Sequence, residues 1–516
     1  MPLRNAFGAV AMPDGLSFPR HPASGANAST GVKMAKAYGP SNPPNNPGPG
    51  WEISMFRYRC FRLVALIIGA LCCCSAVGQT PALQAPAQSA ATEAKVAALW
   101  LQRTVDGLPA QQAQLIRRAQ ATLLGNAISL PAWKPYRGVE PSRSSYPGIW
   151  NWDSAFHAIA ISHWDPDLAR QQFAILFRRQ LPDGELPDVI YANGSTVTGN
   201  TKPPVMAWAI AVVDRRSPDT EFLRKMYPKL VRLDDFWMKN RGGARDGLFY
   251  YAGADVGFDS GWDNSIRWDD GYRMAHSDDH RLWAIDLNCY MVMHDRAMAS
   301  IADRLGLSAD SRRWNRAADL LAQAINQRLW DNKIGFYVDR DRTTGREGPA
   351  LSPAGLMPLF VGIAPPDRAA RVAQMAADPH KFFPGMPTVA YDTPGYESHG
   401  YWRGAAWLNT SYFALKGLEQ YGYTEVAEAM RSRLLGWVAR DRSIREYYDS
   451  RNGKGYGARD FGWSAAFTLA LILDWNNNNL TWLFTDQMVA PSTALASPRR
   501  SDGKRLHYVG RLPLPS

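Results

Sequence analysis

An all-α fold, a toroid of paired helices, is what this 516-residue chain predicts, and three observations carry that reading. Apolar residues return at helical spacing: Trp314, Ala318, Leu321, Ile325 and Leu329 lie at steps of four, three, four and four, and Val426, Met430, Leu434 and Trp437 at steps of four, four and three. Each amphipathic run follows a more apolar one across a Gly-bearing break, Leu282 to Ile301 ending at Gly306 and Leu408 to Leu418 at Gly422. Ala465 to Leu473 is apolar all round, as a helix buried on every side must be. Strand signals are few and local, such as Gly335-Phe-Tyr-Val-Asp339 before the turn residues Thr344-Gly345.

The chain divides by composition. Residues 1–54 carry nine prolines and no apolar periodicity, so no packed structure is expected there; Met55 offers an internal start that would make them an extension rather than a domain. Residues 55–78 read as a signal peptide, with basic Met55–Arg62, apolar Leu63–Leu71 and small residues Ala76-Val-Gly78 before Gln79. The apolar run is too short to span a bilayer, which implies a periplasmic or secreted protein with no membrane anchor once the leader is removed. Residues 79–94, rich in Ala, Gln and Pro, read as a linker, 95–485 as the folded body and 486–516 as a basic tail. Four of the five cysteines, Cys60 and Cys72 to Cys74, belong to the leader, and Leu71 before Cys72 does not suit lipid attachment. Cys289 then stands alone, which leaves no internal disulfide and no cysteine metal site. Of the net charge of +11, residues 1–78 contribute +5 and 491–516 contribute +4, so the body is near neutral and a nucleic-acid partner is not expected.

The chemistry is concentrated in four segments. Phe258-Asp-Ser-Gly-Trp-Asp-Asn-Ser-Ile-Arg-Trp-Asp-Asp270 packs four carboxylates, two indoles and an Arg into a stretch with neither a helical nor a strand period. Indole faces stack on pyranose rings, carboxylates and Arg bind hydroxyls, and a carboxyl can protonate a glycosidic oxygen. The bland alternative is a helix start with Asp263 and Asn264 as turn formers. Tyr146 to Phe156, His399 to Trp407, and Arg445 to Gly455 with Ala458 to Ser464 have the same mixture, although Asp153 also suits an N-cap. Of 19 tryptophans, all but Trp51 lie between Trp100 and Trp482. GxGxxG, P-loop, HExxH and GxSxG are absent, and Asp331-Asn-Lys-Ile-Gly is too thin for a calcium loop, so neither cofactor nor metal is expected.

Seven pieces in order over residues 146–475 resemble glycoside hydrolase family 63, with the trehalases of family 37 as cousins: Trp152-Asp-Ser-Ala-Phe156, Asp183-Gly184 with Pro187, Lys202-Pro-Pro204, Ser260-Gly-Trp-Asp-Asn-Ser265, Gly400-Tyr-Trp-Arg-Gly404, Glu446-Tyr-Tyr-Asp449 and Gly457-Ala-Arg-Asp-Phe-Gly-Trp-Ser464. The resemblance implies an (α/α)6 barrel and inverting hydrolysis of α-glycosidic bonds in a small carbohydrate. It implies Asp263 as general acid and Glu446 as general base, at the separation of about 6.5–9.5 Å that an inverting pair needs. Burial by Trp262 and Trp268 is expected to keep Asp263 protonated, while Arg445 keeps Glu446 ionised. Trp150, Trp152, Asp153, Asp183, Lys202, Trp262, Trp402, Arg403, Trp407 and Trp463 are the expected sugar-binding residues. With no β-sandwich ahead of the barrel, the chain is most similar to the compact bacterial type that includes mannosylglycerate and glucosylglycerate hydrolases. Lys202, where members acting on glycerate glycosides often carry Gln, matches the wider family and weakens a glycerate assignment. The competing readings are a trehalase, whose PGGRF and QWDxPxxW signatures are missing, and a non-catalytic sugar-binding protein.

Overall fold

The computed structural model describes residues 90–253, 255–273 and 281–485. The predicted leader, the extension before it, residues 79–89 and the basic tail lie outside the described residues. Helix α1 spans Ala90–Val105, so it begins inside the stretch read as linker.

Twelve further helices form two concentric rings. Helix α2 spans Ala110–Gly125; then come α3 (Asn151–Ile161), α4 (Pro166–Phe177), α5 (Met206–Arg216), α6 (Thr220–Asn240), α7 (Ile285–Arg304), α8 (Ser308–Arg328), α9 (Met357–Phe360, extended by a 3-10 turn at Pro353–Leu356), α10 (Pro366–Ala377), α11 (Leu408–Gln420), α12 (Thr424–Arg440) and α13 (Gly462–Leu473). The odd members from α3 to α13 form the inner ring. Every residue of α3 is buried, as are most residues of α13, which is apolar or small around its whole circumference. Each inner helix packs on the next, and α13 returns to α3, closing the circle.

The even members from α4 to α12 lie outside and show one apolar stripe each. In α8 the buried residues include Trp314, Ala318, Leu321 and Ile325, the periodic set read from the sequence. The outer partner of α13 is α2, contributed from the other end of the barrel sequence. This is an (α/α)6 barrel. Outer helices start on fixed caps: the Asp165 carboxylate accepts the Leu168 N–H at 2.8 Å with Pro166 behind it, and Asp219 accepts from Phe222 at 2.9 Å.

Strands are short. Strand β1 (Ile149–Trp150) pairs antiparallel with β2 (Val189–Ile190), which pairs with β3 (Thr196–Val197). The hairpin of β4 (Arg445–Tyr448) and β5 (Gly455–Arg459) shifts register between Arg445 and Tyr447. The signal at Gly335–Asp339 is realised as Phe336–Tyr337 paired with Trp330–Asp331.

Candidate active site

At the end of the barrel where the inner helices begin, loops and helix starts from across the chain converge on one cavity. It is lined by Tyr146, Trp150, Trp152, Asp153, Lys202, Gly261, Asp263, Tyr401, Trp402, Glu446, Phe461 and Trp463, with Pro141 at its edge. Trp152 and Asp153 stand in the first turn of α3, Trp463 in the first turn of α13, and Glu446 on β4. Tyr146 and Glu446, 300 positions apart in the sequence, touch here.

Glu446 is held at both oxygens. Its Oε1 accepts the Tyr146 hydroxyl at 2.8 Å and its Oε2 the Ala458 N–H of the neighbouring strand at 2.7 Å. Gly457, at φ +68°, is the residue that lets the strand come so close: a Cβ there would lie 2.4 Å from Oε2. Tyr401, itself at φ +65°, places its hydroxyl 3.4 Å from Asp263 Oδ2 and 3.4 Å from Glu446 Oε1. A single phenolic oxygen thus spans the gap between the two carboxylates.

Burial raises both acids. Asp263 is pushed to about 6 against the pull of Lys202, and Asp188 adds to the rise. Glu446 is pushed to about 7 by burial, although the Ala458 N–H and the Tyr146 hydroxyl favour its charged form. The sequence reading had Arg445 keeping Glu446 ionised. It does not, because successive strand residues face opposite sides and the Arg445 guanidinium bonds the Gly457 carbonyl instead.

Lys202 is the cavity's one cation among the described residues. Its backbone is left-handed, at φ +54°, and its ammonium lies 3.4 Å from Asp188 Oδ2 and donates to the Phe258 carbonyl. Burial alone would weaken its hold on the proton, but Asp188, Asp263 and Asp153 outweigh it and raise its pKa. Asp153 is buried and driven well up for the same reason, with Lys202 its main compensation. It caps nothing: the N-cap position of α3 is Trp150.

Eight expected site residues line the cavity: Trp150, Trp152, Asp153, Lys202, Asp263, Trp402, Glu446 and Trp463. Four do not line it. Trp407 stacks on Trp402 at 3.9 Å and 7°, and Trp262 stacks against Trp402 at 5.2 Å and 25°. Arg403 pairs with Asp269 at 2.9 Å and donates to the Asn264 carbonyl. Asp183 is exposed, and its carboxylate closes a turn on the Glu185 N–H. Arg267, read among the hydroxyl-binding groups of the central loop, is fully buried: it bonds Asp286 and Asp339 at 2.7–2.9 Å between the rings of Trp262 and Trp268. It pins the loop that carries Asp263.

Sequence reasoning missed four residues. Tyr146, Tyr401 and Phe461 sit inside quoted segments but read as ordinary aromatics, and Asp188 lies one residue past the Asp183–Pro187 piece. Their one sequence signal was proximity to those motifs.

Known proteins share the fold. Residues 146–464 match the family described as mannosylglycerate hydrolase MGH1-like glycoside hydrolase domain. The mannosylglycerate hydrolase of Rubrobacter radiotolerans is 25% identical over 419 residues, 65% of this chain and 93% of the relative. The periplasmic trehalase of Pseudomonas aeruginosa is 26% identical over 410 residues, 66% of this chain and 71% of the relative. The crystal structure of the GH63 mannosylglycerate hydrolase from Thermus thermophilus in complex with glucose superposes with a TM-score of 0.60 at 27% identity, covering 69% of this chain and 99% of that one. With its barrel closed, its two carboxylates in one indole-lined cavity and well over half its length matched, the chain belongs to the family of MGH1-like glycoside hydrolases.

Proposed function

We propose that this chain is an exported, inverting hydrolase of a small α-glucoside or α-mannoside, with Asp263 as general acid and Glu446 as general base. The observation that carries the reading is the pair of buried carboxylates joined through the Tyr401 hydroxyl at 3.4 Å on each side. In the reaction, Trp150, Trp152, Trp402 and Trp463 enclose the ring and Asp153 and Lys202 fix its hydroxyls. Asp263 gives its proton to the glycosidic oxygen while Glu446 takes one from a water that attacks the opposite face.

A second reading, a trehalase-like hydrolase of a neutral disaccharide, is favoured by the charge of the cavity. Asp153, Asp263 and Glu446 face one cation, Lys202, and Asp188 already claims it. A carboxylate-bearing aglycone would find no uncommitted cation among the described residues of the cavity. Trehalose, neutral α-glucosides and α-mannosides, and mannosylglycerate, scored for released sugar, separate these readings; release from none of them would leave a binding protein. NMR of the first-formed sugar should show the β-anomer, and the α-anomer appearing first would overturn the roles of both acids. Asp263→Asn should lose most activity on poor leaving groups and recover part of it on a glycosyl fluoride, whereas Glu446→Gln should stay slow on both.

A further inference from the structure

Behind the hairpin that carries Glu446 lies a second cavity, a groove of about 400 Å³ lined by Arg118, Arg143, Arg442, Arg459, Ser142 and Ser144 among others. We propose that this groove binds a multiply charged oxyanion of the phosphate class.

Four guanidinium groups face it against one carboxylate, Asp460, whose Oδ1 accepts the Ser443 hydroxyl. Elsewhere on the barrel arginines are commonly matched: Arg170, Arg216, Arg267, Arg304, Arg342 and Arg431 all pair with acids. None of the four groove arginines forms an ion pair among the described residues. The bland account is that they satisfy helix ends. Arg118 does donate to the Val438 carbonyl at 3.2 Å and Arg143 to the Gly125 carbonyl at 3.4 Å, which complements the C-terminal ends of α12 and α2. That uses one nitrogen of each guanidinium. The Arg118 Nη2 is buried with no partner, and Arg442 and Arg459 reach the groove from exposed positions. Guanidinium groups carry five N–H donors in a planar fork that matches tetrahedral oxyanions, and a cluster of them with unspent donors is stabilised by such an anion.

The groove shares its wall with the catalytic cavity. Pro141 lines one and Ser142 the other; Phe461 lines one, Asp460 and Arg459 the other. The Ser142 hydroxyl donates to the Arg459 carbonyl at 2.9 Å, and Asn126 ties the Pro141 and Asp460 carbonyls together. An anion drawn in by Arg442 and Arg459 therefore rests against the backbone whose Ala458 N–H holds Glu446.

The test uses the whole mature protein and inorganic phosphate, followed by calorimetry and by the thermal midpoint, against chloride at matched ionic strength. Wild type should give a saturable signal that chloride does not reproduce. The double variant Arg442→Gln with Arg459→Gln, both exposed and outside the catalytic machinery, should keep its circular dichroism and weaken phosphate binding tenfold or more. Lys202→Met should bind phosphate as wild type does. Absence of saturable binding, an equal response to chloride, or the reverse pattern, with Lys202→Met losing phosphate and the double variant keeping it, would overturn the proposal. Glycosidase activity does not enter these readouts, so they stand apart from the catalytic reading.

Discussion

Tyr146 and Tyr401 bring their hydroxyls to the two buried carboxylates, and burial keeps both phenols neutral. With Asp263 near 6 and Glu446 near 7, the pair holds one proton between those values, two below and none above. The proposed roles need that one proton on Asp263, the minority placement because Glu446 holds it more tightly, so kcat/KM should be bell-shaped with its maximum between about 6 and about 7. The Tyr146 hydroxyl donates to Glu446 and favours the carboxylate. Tyr146→Phe removes that donor, so Glu446, which holds its proton near 7, binds it more tightly and the basic limb should move to higher pH. One neutral hydrogen bond is worth roughly 0.5–1.5 kcal/mol, a shift of about half a unit to one unit. A basic limb that stays put or moves down would show that the 2.8 Å bond does not tune Glu446. That Asp263 and Glu446 meet in one cavity was legible because the motifs around them are specific. Their pKa order was not, since it depends on which side of a strand Arg445 faces and on which hydroxyls arrive from 300 residues away.

Helix periodicity told which elements exist and which faces they bury, since a 3.6-residue repeat records a one-sided environment directly. It could not tell which indoles touch the cavity. Trp402 lines it while Trp407, five residues on, stacks on Trp402 without lining it, and both are fully buried aromatics in one motif. The central loop shows the same limit: Asp263 faces the cavity, whereas Arg267 four residues later turns inward to Asp286 on α7 and to Asp339. That inward ion cluster makes the loop a rigid element rather than a flexible one. Arg267→Met should leave two buried carboxylates without their cation at a cost of roughly 3–5 kcal/mol, and should lower the thermal midpoint and activity together. A variant that melts like wild type would show that the loop is held by something else. The opposite pattern, lost activity in a fully stable protein, would return Arg267 to the sugar.

At the scale of the molecule, two expectations rest on the sequence and await measurement. Removal of the 55–78 leader should give a mature chain beginning near Gln79, and an N-terminus upstream of Met55 would refute export by this route. With Cys289 buried and the one cysteine among the described residues, treatment with EDTA or a reductant should leave helicity and activity unchanged; loss on EDTA would reveal a bound ion, and loss on reductant a disulfide, that the sequence does not announce. The ring itself bears on how the protein comes to life. Its last inner helix, α13, closes on α3 and takes α2, from the start of the barrel sequence, as its outer partner, and the same closure brings Tyr146 to Glu446. Helices can form locally in microseconds, but a junction joining residues so far apart must wait for almost the whole barrel to be synthesised and assembled. Turnover is thus a clock for the final step. In refolding, helical signal should return first and hydrolysis only afterwards, and a ribosome-bound chain that has not yet emitted α13 should be helical but inert.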